Sequence, residues 1–363
     1  DAYNSIGEIY LNKKNITKSH KAFEKVLQIN PNHVKGLLNM GNLYDSTAEY
    51  EKSIQLYSKA SMKDPENNEL LALKTTQQAY ICDIDEIKNH NSKIKYAYTN
   101  KYHIRPFDSF AHDDEPKRHQ LRAISYTNKY YRENRYLKLS NSENKSKRIR
   151  LGYISSDFKE HAVSYLIAKV IETHNSDKFK LFGYSISSSK LDKMGERTRK
   201  AFDVFREVNK FSDKEIALKI QKDKIDILIN LNGYTKDART GIFTYKPAKI
   251  QINFLGFPGT MGAEFIDYII ADSVVIPDRF NNLYSEKIIK LPHSYMPTDN
   301  TREISNRPFT RKEMGLPTKG LVFCCFNNSY KISVNEFDIW MRVLSKIENS
   351  VLWLKMENEL AKK

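Results

Sequence analysis

Through the first eighty residues, apolar positions recur three and four apart, as in AYNSIGEIYL and KAFEKVLQI, which is the spacing of amphipathic helices. From Arg148 the pattern changes to short β-rich runs: RIRLGYI, KFKLFGYSI, KIDILINL, KIQINFLG and DYIIAD. Helical stretches such as SYLIAKVIETH and DKEIALKIQKD separate several of them. Strands and helices alternating at this length predict a mostly parallel, doubly wound sheet. Further on, residues 320–326, which contain LVFCCF, predict a strand, and residues 333–347 predict a helix. Ser333 and Glu336 have the S-x-x-E spacing of a capping box at the start of that helix.

The helical region repeats itself. Gly7 and Tyr10 recur as Gly41 and Tyr44, Phe23 as Tyr57, and Asn30-Pro31 as Asp64-Pro65, every pair offset by 34 residues. A small residue with an aromatic one turn later lets two helices of a hairpin approach closely, and proline marks the next turn. The pattern resembles the tetratricopeptide repeat. Such arrays commonly need three or more units, so further repeats are expected upstream. The expected organisation is repeats over 1–70, a helical transition and linker over 71–147, a Rossmann-like lobe over 148–300, and the start of a second lobe over 301–363.

With 363 residues, 40% of them apolar and 12% aromatic, the chain is a globular protein of more than one domain. Its net charge of +15 favours an anionic partner without selecting one. Three cysteines, Cys82, Cys324 and Cys325, build neither a disulfide framework nor a CxxC metal site. Asn15-Ile16-Thr17 fits a glycosylation sequon, but no secretory pattern accompanies it. No apolar run has the length of a bilayer span, so no membrane partner is expected and a cytoplasmic setting is.

Ligands of doubly wound sheets collect at the C-terminal ends of strands. Ser155–His161 follows the first predicted strand, Asn232, Gly233, Tyr234 and Thr235 follow KIDILINL, and Phe257, Pro258, Gly259 and Thr260 follow KIQINFLG. Gly256, Gly259 and Gly262 are spaced GxxGxxG, which is not a dinucleotide fingerprint, and there is no Walker A lysine motif. His161 reads either as a helix-start residue satisfied by backbone or as a general base. Asp83-Ile84-Asp85 imitates a metal-binding DxD in helical sequence, where a solvated face is the better reading. His112-Asp113-Asp114 lacks a third ligand, so Asp113 or Asp114 is expected to cap a helix. Lys129, Arg132, Arg135, Lys138, Lys145, Lys147 and Arg148 surround a linker-like SNSENKS; a solvated linker is expected there, with nucleic acid an unlikely partner. Lys331, at a strand end beside a helix N-terminus, suits an anion, specifically a pyrophosphate.

Taken in order, GYISSDFKEHAVSYL, LINLNGYTKDAR, FLGFPGTMGAEFIDYIIAD, YSEKIIKLPHSY and FCCFNNSYKI resemble the O-linked N-acetylglucosamine transferase family of bacterial style. The resemblance implies a GT-B architecture and inverting, metal-independent transfer from UDP-GlcNAc to Ser or Thr hydroxyls, with no cofactor. It implies that Lys331 contacts the donor diphosphate, and that His161 is a base or an active-site contact. Asp223 matches an acidic residue proposed for proton handling, beside the alternative of a helix-end carboxylate. Thr235, Gly256 and Pro258 fall in loops facing sugar and acceptor. Asn328 stands where animal members have Gln, and Asp226 where they have His.

The second lobe reads as incomplete, with one helix and the strand SVLWLK after Lys331, so a fragment cut at both ends is expected. Beside the transferase stand two other readings: a repeat scaffold that binds partner peptides, and a related transferase using another nucleotide sugar such as GDP-fucose.

Overall fold

The computed structural model describes residues 1–13, 15–89, 103–131, 147–187, 192–355 and 358–362. The chain divides into two compact units, one of 1–104, 108–114 and 306–363, the other of 105–107 and 115–305.

The first unit opens with five helices, α1 (Ala2–Asn12), α2 (Ile16–Ile29), α3 (Val34–Ser46), α4 (Tyr50–Lys63) and α5 (Asn68–Tyr80). The 34-residue offset has a direct steric cause. A Cβ on Gly7 would come within 2.3 Å of the Phe23 ring, and one on Gly41 within 2.5 Å of the Tyr57 ring. In each hairpin the aromatic ring fills the space left by the missing side chain, and both rings are fully buried. A polar partner repeats at the same offset: Ser19 donates to the Gly7 carbonyl at 2.9 Å and Ser53 to that of Gly41 at 3.0 Å. Asp83 accepts from the Glu86 amide at 3.4 Å and from the Gln78 side chain at 3.4 Å, so the DxD imitation is a helix-start residue.

The second unit is a sheet of seven parallel strands: β1 (Ile149–Ser155), β2 (Phe179–Ser185), β3 (Val204–Glu207), β4 (Ile227–Asn230), β5 (Ile250–Phe254), β6 (Tyr268–Ala271) and β7 (Lys287–Lys290). Their order is β3-β2-β1-β4-β5-β6-β7, so chain direction across the sheet reverses between β1 and β4. Strands β3 and β7 are additional to the expected runs, being short, charged and on the two edges. Among the described residues, four α-helices accompany the sheet: α6 (Pro116–Tyr130), α7 (Ala162–Glu172), α8 (Lys193–Lys200) and α9 (Asp213–Lys222). The core joins the inner faces of β1, β4 and β5 to Val163, Ile167 and Ile171 of α7. Helix α6 is capped by Glu115, whose carboxylate accepts from the Lys117 amide at 3.3 Å; the expected caps, Asp113 and Asp114, do not serve it. Lys129 lies on α6, whereas Arg132, Arg135, Lys138 and Lys145 fall outside the described residues.

Residues 306–363 return to the first unit with β8 (Val322–Cys325), α10 (Val334–Leu344) and β9 (Val351–Leu354), the two strands paired in parallel. The expected capping box at Ser333 is not formed. Its hydroxyl donates to the Glu336 carboxylate and leaves the helix amides without a side-chain cap.

Candidate functional site

Strand order reverses between β1 and β4, and ligands of doubly wound sheets collect at the C-terminal strand ends beside such a reversal. After β1 the chain runs Ser155-Ser156-Asp157, and after β4 it runs Leu231-Asn232. Asn232 ties the two together. Its Oδ1 accepts from the Ser156 amide at 2.9 Å, and its Nδ2 donates to the Ser156 hydroxyl and to Asp157 Oδ2, each at 2.8 Å. Ser156 and Asn232 are each 1% exposed, so these bonds form out of water, where an unmade bond is costly. Asn230 sets the β4 loop in turn, accepting from the amides of Asn232 and Gly233, both at 3.1 Å.

His161 is placed by this loop. It is the N-cap of α7, and Nδ1 accepts from the Val163 amide at 3.3 Å. The same Nδ1 lies 3.7 Å from Asp157 Oδ2, and the side chain is 44% exposed. Both readings of His161 therefore apply to one geometry: it caps a helix, and it presents an imidazole at the switch point backed by a carboxylate. While Nδ1 accepts, Nε2 carries the ring proton. A proton on Nδ1 would face Asp157 and leave Nε2 as a base. Thr235 is half-buried at the same strand end, its hydroxyl donating to the Asn232 carbonyl at 3.0 Å.

Other expected residues are elsewhere. Asp223 ends α9, and its carboxylate is held by Arg206 at 2.7 and 2.6 Å and by the Tyr184 hydroxyl at 2.8 Å. Its carbonyl accepts from Arg150, the second residue of β1, at 2.7 Å. His161 follows the other end of that strand, about 16 Å further along at the usual rise per residue. Asp223 is thus a structural anchor at the N-terminal edge of the sheet, not a partner of His161. Asp226 belongs to the same edge, accepting from the Arg150 amide at 2.8 Å. Tyr234, expected to touch substrate, is 2% exposed. Its ring packs among Tyr126, Tyr131 and Phe257, and its hydroxyl donates to the Met261 carbonyl at 2.8 Å and contacts Thr127. Burial raises its phenol well above the usual range, so it stays neutral.

The glycine-rich loop after β5 is held from beneath. Gly256 crosses the β4 loop so closely that a Cβ would lie 2.1 Å from the Leu231 carbonyl oxygen. Pro258 accepts from the Tyr284 hydroxyl at 3.2 Å, and Gly259 is buried. Sequence reasoning missed the residue that fixes this loop, Glu286. Its carboxylate accepts from the Thr260 hydroxyl at 2.7 Å and the Met261 amide at 2.6 Å. Burial raises its pKa despite those bonds. Asp157 lies in the Ser155–His161 segment already expected at a strand end; its position beside His161 is what the structure adds.

Lys331 belongs to the other compact unit. It closes a short 3₁₀ turn, Ser329–Lys331, after β8. The turn is docked on the end of α5: Ser329 donates to the Tyr80 carbonyl at 2.8 Å, and the rings of Tyr80 and Tyr330 lie 4.9 Å apart. Lys331 is exposed and makes no ion pair with any described residue. With the first turn of α10 it lines a cavity of about 270 Å³. Asn328 caps the 3₁₀ turn through its backbone, its carbonyl accepting from the Lys331 amide at 3.0 Å.

Helical repeats followed by a doubly wound parallel lobe, with polar residues gathered at its switch point, define an α/β protein carrying a repeat domain. Comparison with known proteins makes this specific. The model of Glycosyl transferase family 41 matches residues 116–307 and 303–358, and a tetratricopeptide-repeat model matches 11–76. The chain belongs to glycosyl transferase family 41. It is similar to the probable UDP-N-acetylglucosamine–peptide N-acetylglucosaminyltransferase SEC of Arabidopsis thaliana, 40% identical over 214 residues, covering 57% of this chain and 22% of that protein. A Caenorhabditis elegans UDP-N-acetylglucosamine–peptide N-acetylglucosaminyltransferase is 38% identical over 156 residues, covering 43% and 14% respectively. The chain therefore spans less than a quarter of the length of these relatives. Among solved structures, the K341M mutant of the Thermobaculum terrenum O-GlcNAc transferase shares the fold, with a TM-score of 0.71 at 22% identity over 97% of this chain and 67% of that one.

Proposed function

We propose that the protein transfers N-acetylglucosamine from UDP-GlcNAc to Ser or Thr hydroxyls of proteins, with inversion and without a metal. The observation that carries this reading is Lys331, an exposed ammonium with no ion pair among the described residues, at the mouth of a cavity whose wall is the N-terminal turn of a helix. A diphosphate leaving group gains charge as the glycosidic bond breaks. A lysine and oriented amides stabilise that charge without reorganising, an effect of roughly 3–4 kcal/mol in comparable sites. The names borne by the relatives supply the donor and acceptor class.

In this mechanism His161 stands at the acceptor side of the switch point. With the ring proton on Nδ1, 3.7 Å from Asp157 Oδ2, Nε2 can accept the hydroxyl proton; with the proton on Nε2 the ring can instead hold the hydroxyl as a donor. Gly256, Pro258 and Thr235 belong to loops at the same strand ends as His161, where the resemblance puts sugar and acceptor, and Asn328 belongs to the turn that carries Lys331. The repeats bind acceptor proteins. A cytoplasmic setting is part of the same proposal; no described helix is long and apolar enough to cross a membrane.

The test is a transfer assay offering labelled UDP-GlcNAc, and separately GDP-fucose, with a protein lysate, comparing wild type with Lys331→Ala. Label entering protein from UDP-GlcNAc, and falling about 100-fold or more in the variant, is expected. Equal transfer by the two proteins would remove Lys331 from the chemistry, and transfer from GDP-fucose alone would replace the donor.

A further inference from the structure

We infer that Tyr80, the last residue of α5, is a positioning residue for Lys331, so that the helical repeats take part in the transfer chemistry besides meeting acceptor proteins. This rests on the reading of Lys331 above and extends it to a residue of the helical region. The residues involved all lie within one compact unit.

The turn that carries Lys331 is short, Ser329–Lys331, and β8 before it pairs with β9 as its single strand partner among the described residues. Its support comes from the helical region. Ser329 and Ile332 are buried, whereas Lys331 between them is exposed. Val334 packs with Ala79 of α5 and with Ile87 in the helical stretch that follows, and Tyr330 lies against the same cluster.

These supports converge on Tyr80. Helix α5 stops with Cys82 at φ +57° and the Asp83 amide bonded back to the Gln78 carbonyl at 2.9 Å. That closure leaves the Tyr80 carbonyl to other donors, as is usual for the last carbonyls of a helix. It accepts from the Ser329 hydroxyl at 2.8 Å and from the Asn358 side chain at 2.9 Å. The ring stacks on that of Tyr50, the first residue of α4, with centroids 5.0 Å apart and planes 6° from parallel. It also packs against Tyr330, with centroids 4.9 Å apart. Ring pairs of this kind add to ordinary burial. One residue thus ties two repeat helices to the two residues immediately before Lys331. An ammonium on a flexible stem keeps a defined place only when its backbone is held. A misplacement of about 1 Å can cost a reaction roughly 100-fold.

A double-mutant cycle separates positioning from mere packing. Transfer from UDP-GlcNAc and calorimetric binding of UDP are measured for wild type, Tyr80→Ala, Tyr80→Phe, Lys331→Ala and the Tyr80→Ala, Lys331→Ala pair. Thermal melts fix the folded fraction of each. Tyr80→Ala is expected to lower turnover by the folded fraction roughly 10- to 100-fold and to weaken UDP binding, and Tyr80→Phe, which keeps the ring and the carbonyl, to restore both. In the Lys331→Ala background Tyr80→Ala should change neither measurement, because there is no ammonium left to misplace. If Tyr80→Ala melts below the assay temperature, Ser329→Ala removes one tether with less loss of packing and should show the same background dependence. Tyr80→Ala equal to wild type, or equally harmful in both backgrounds, would overturn the positioning role and leave the reading of Lys331 standing. Lys331→Ala equal to wild type in both measurements would overturn the two together.

Discussion

Asn232 donates from Nδ2 to Asp157 Oδ2 at 2.8 Å, joining residues 75 positions apart across the strand-order reversal of the sheet. Asp157 is 7% exposed, so its carboxylate depends on that amide and on the Ser156 hydroxyl for solvation. Asn232→Ala is expected to destabilise the protein by roughly 1–3 kcal/mol, since it leaves a buried acceptor without its donor. Asn232→Asp should cost at least as much, because a second carboxylate would face the first. Urea unfolding of the two variants decides it; an aspartate variant as stable as wild type would show that the bridge bears no load.

Gly256 and Gly315 separate steric from conformational causes. At Gly256 an added Cβ meets backbone, the Leu231 carbonyl oxygen at 2.1 Å, so Gly256→Ala must displace one strand-end loop from another. A loss of roughly 1–3 kcal/mol is expected, with reduced transfer activity because the loop moves. Gly315 has φ +65° with nothing within 4 Å of an added Cβ. Gly315→Ala should cost only the left-handed penalty of about 1–2 kcal/mol and leave activity alone. Melting temperatures and transfer rates measured on the same preparations distinguish the two.

These residues also show what the sequence could and could not reveal. The repeat was legible because a missing side chain and the ring that fills it must recur together, as Gly7 with Phe23 and Gly41 with Tyr57 do. The five main strands were legible because burial on both faces makes continuous apolar runs. Edge strands β3 and β7 escaped because solvent on their outer side permits charge. For Tyr234 and Asp223 the sequence could not choose for a different reason. A tyrosine or aspartate near a strand end has the same local sequence whether it meets ligand or neighbour. Only the tertiary position of Tyr126, Tyr131 and Arg206 shows that both are occupied. Ser333 and Glu336 had the right spacing for a capping box, yet paired with each other.

Glu286 gives a pH prediction. Burial raises its pKa above the ordinary 4.5, so the folded state binds a proton that the unfolded state has released. The sign follows from linkage: its contribution to stability is fully present below about pH 4.5 and is lost as pH rises through the folded-state pKa. Glu286→Gln keeps an acceptor for the Met261 amide and removes the titration. Its stability should therefore fall less than that of wild type between pH 4 and neutrality, which chemical denaturation across that range would reveal. Parallel curves would mean that Glu286 does not titrate on unfolding.

Asp223 and His161 make opposite predictions, and that contrast tests the division of the lobe into an anchoring edge and a reactive edge. Asp223 is clasped by Arg206 and Tyr184 at the N-terminal side of the sheet, whereas the His161 ring is 44% exposed at the C-terminal side. Asp223→Asn should lower stability and leave turnover by the folded fraction near wild type. His161→Ala should do the reverse, lowering turnover roughly 100-fold or more, as expected for loss of general-base help, with a cost of about 1 kcal/mol from its helix cap. A double-mutant cycle of Asp223→Asn with Arg206→Ala should give a coupling of about 1 kcal/mol, modest because the Arg206 side chain is 42% exposed and screened by water. Turnover that collapsed in Asp223→Asn while stability held would return that carboxylate to the chemistry, and would require the two ends of β1 to communicate through the strand itself.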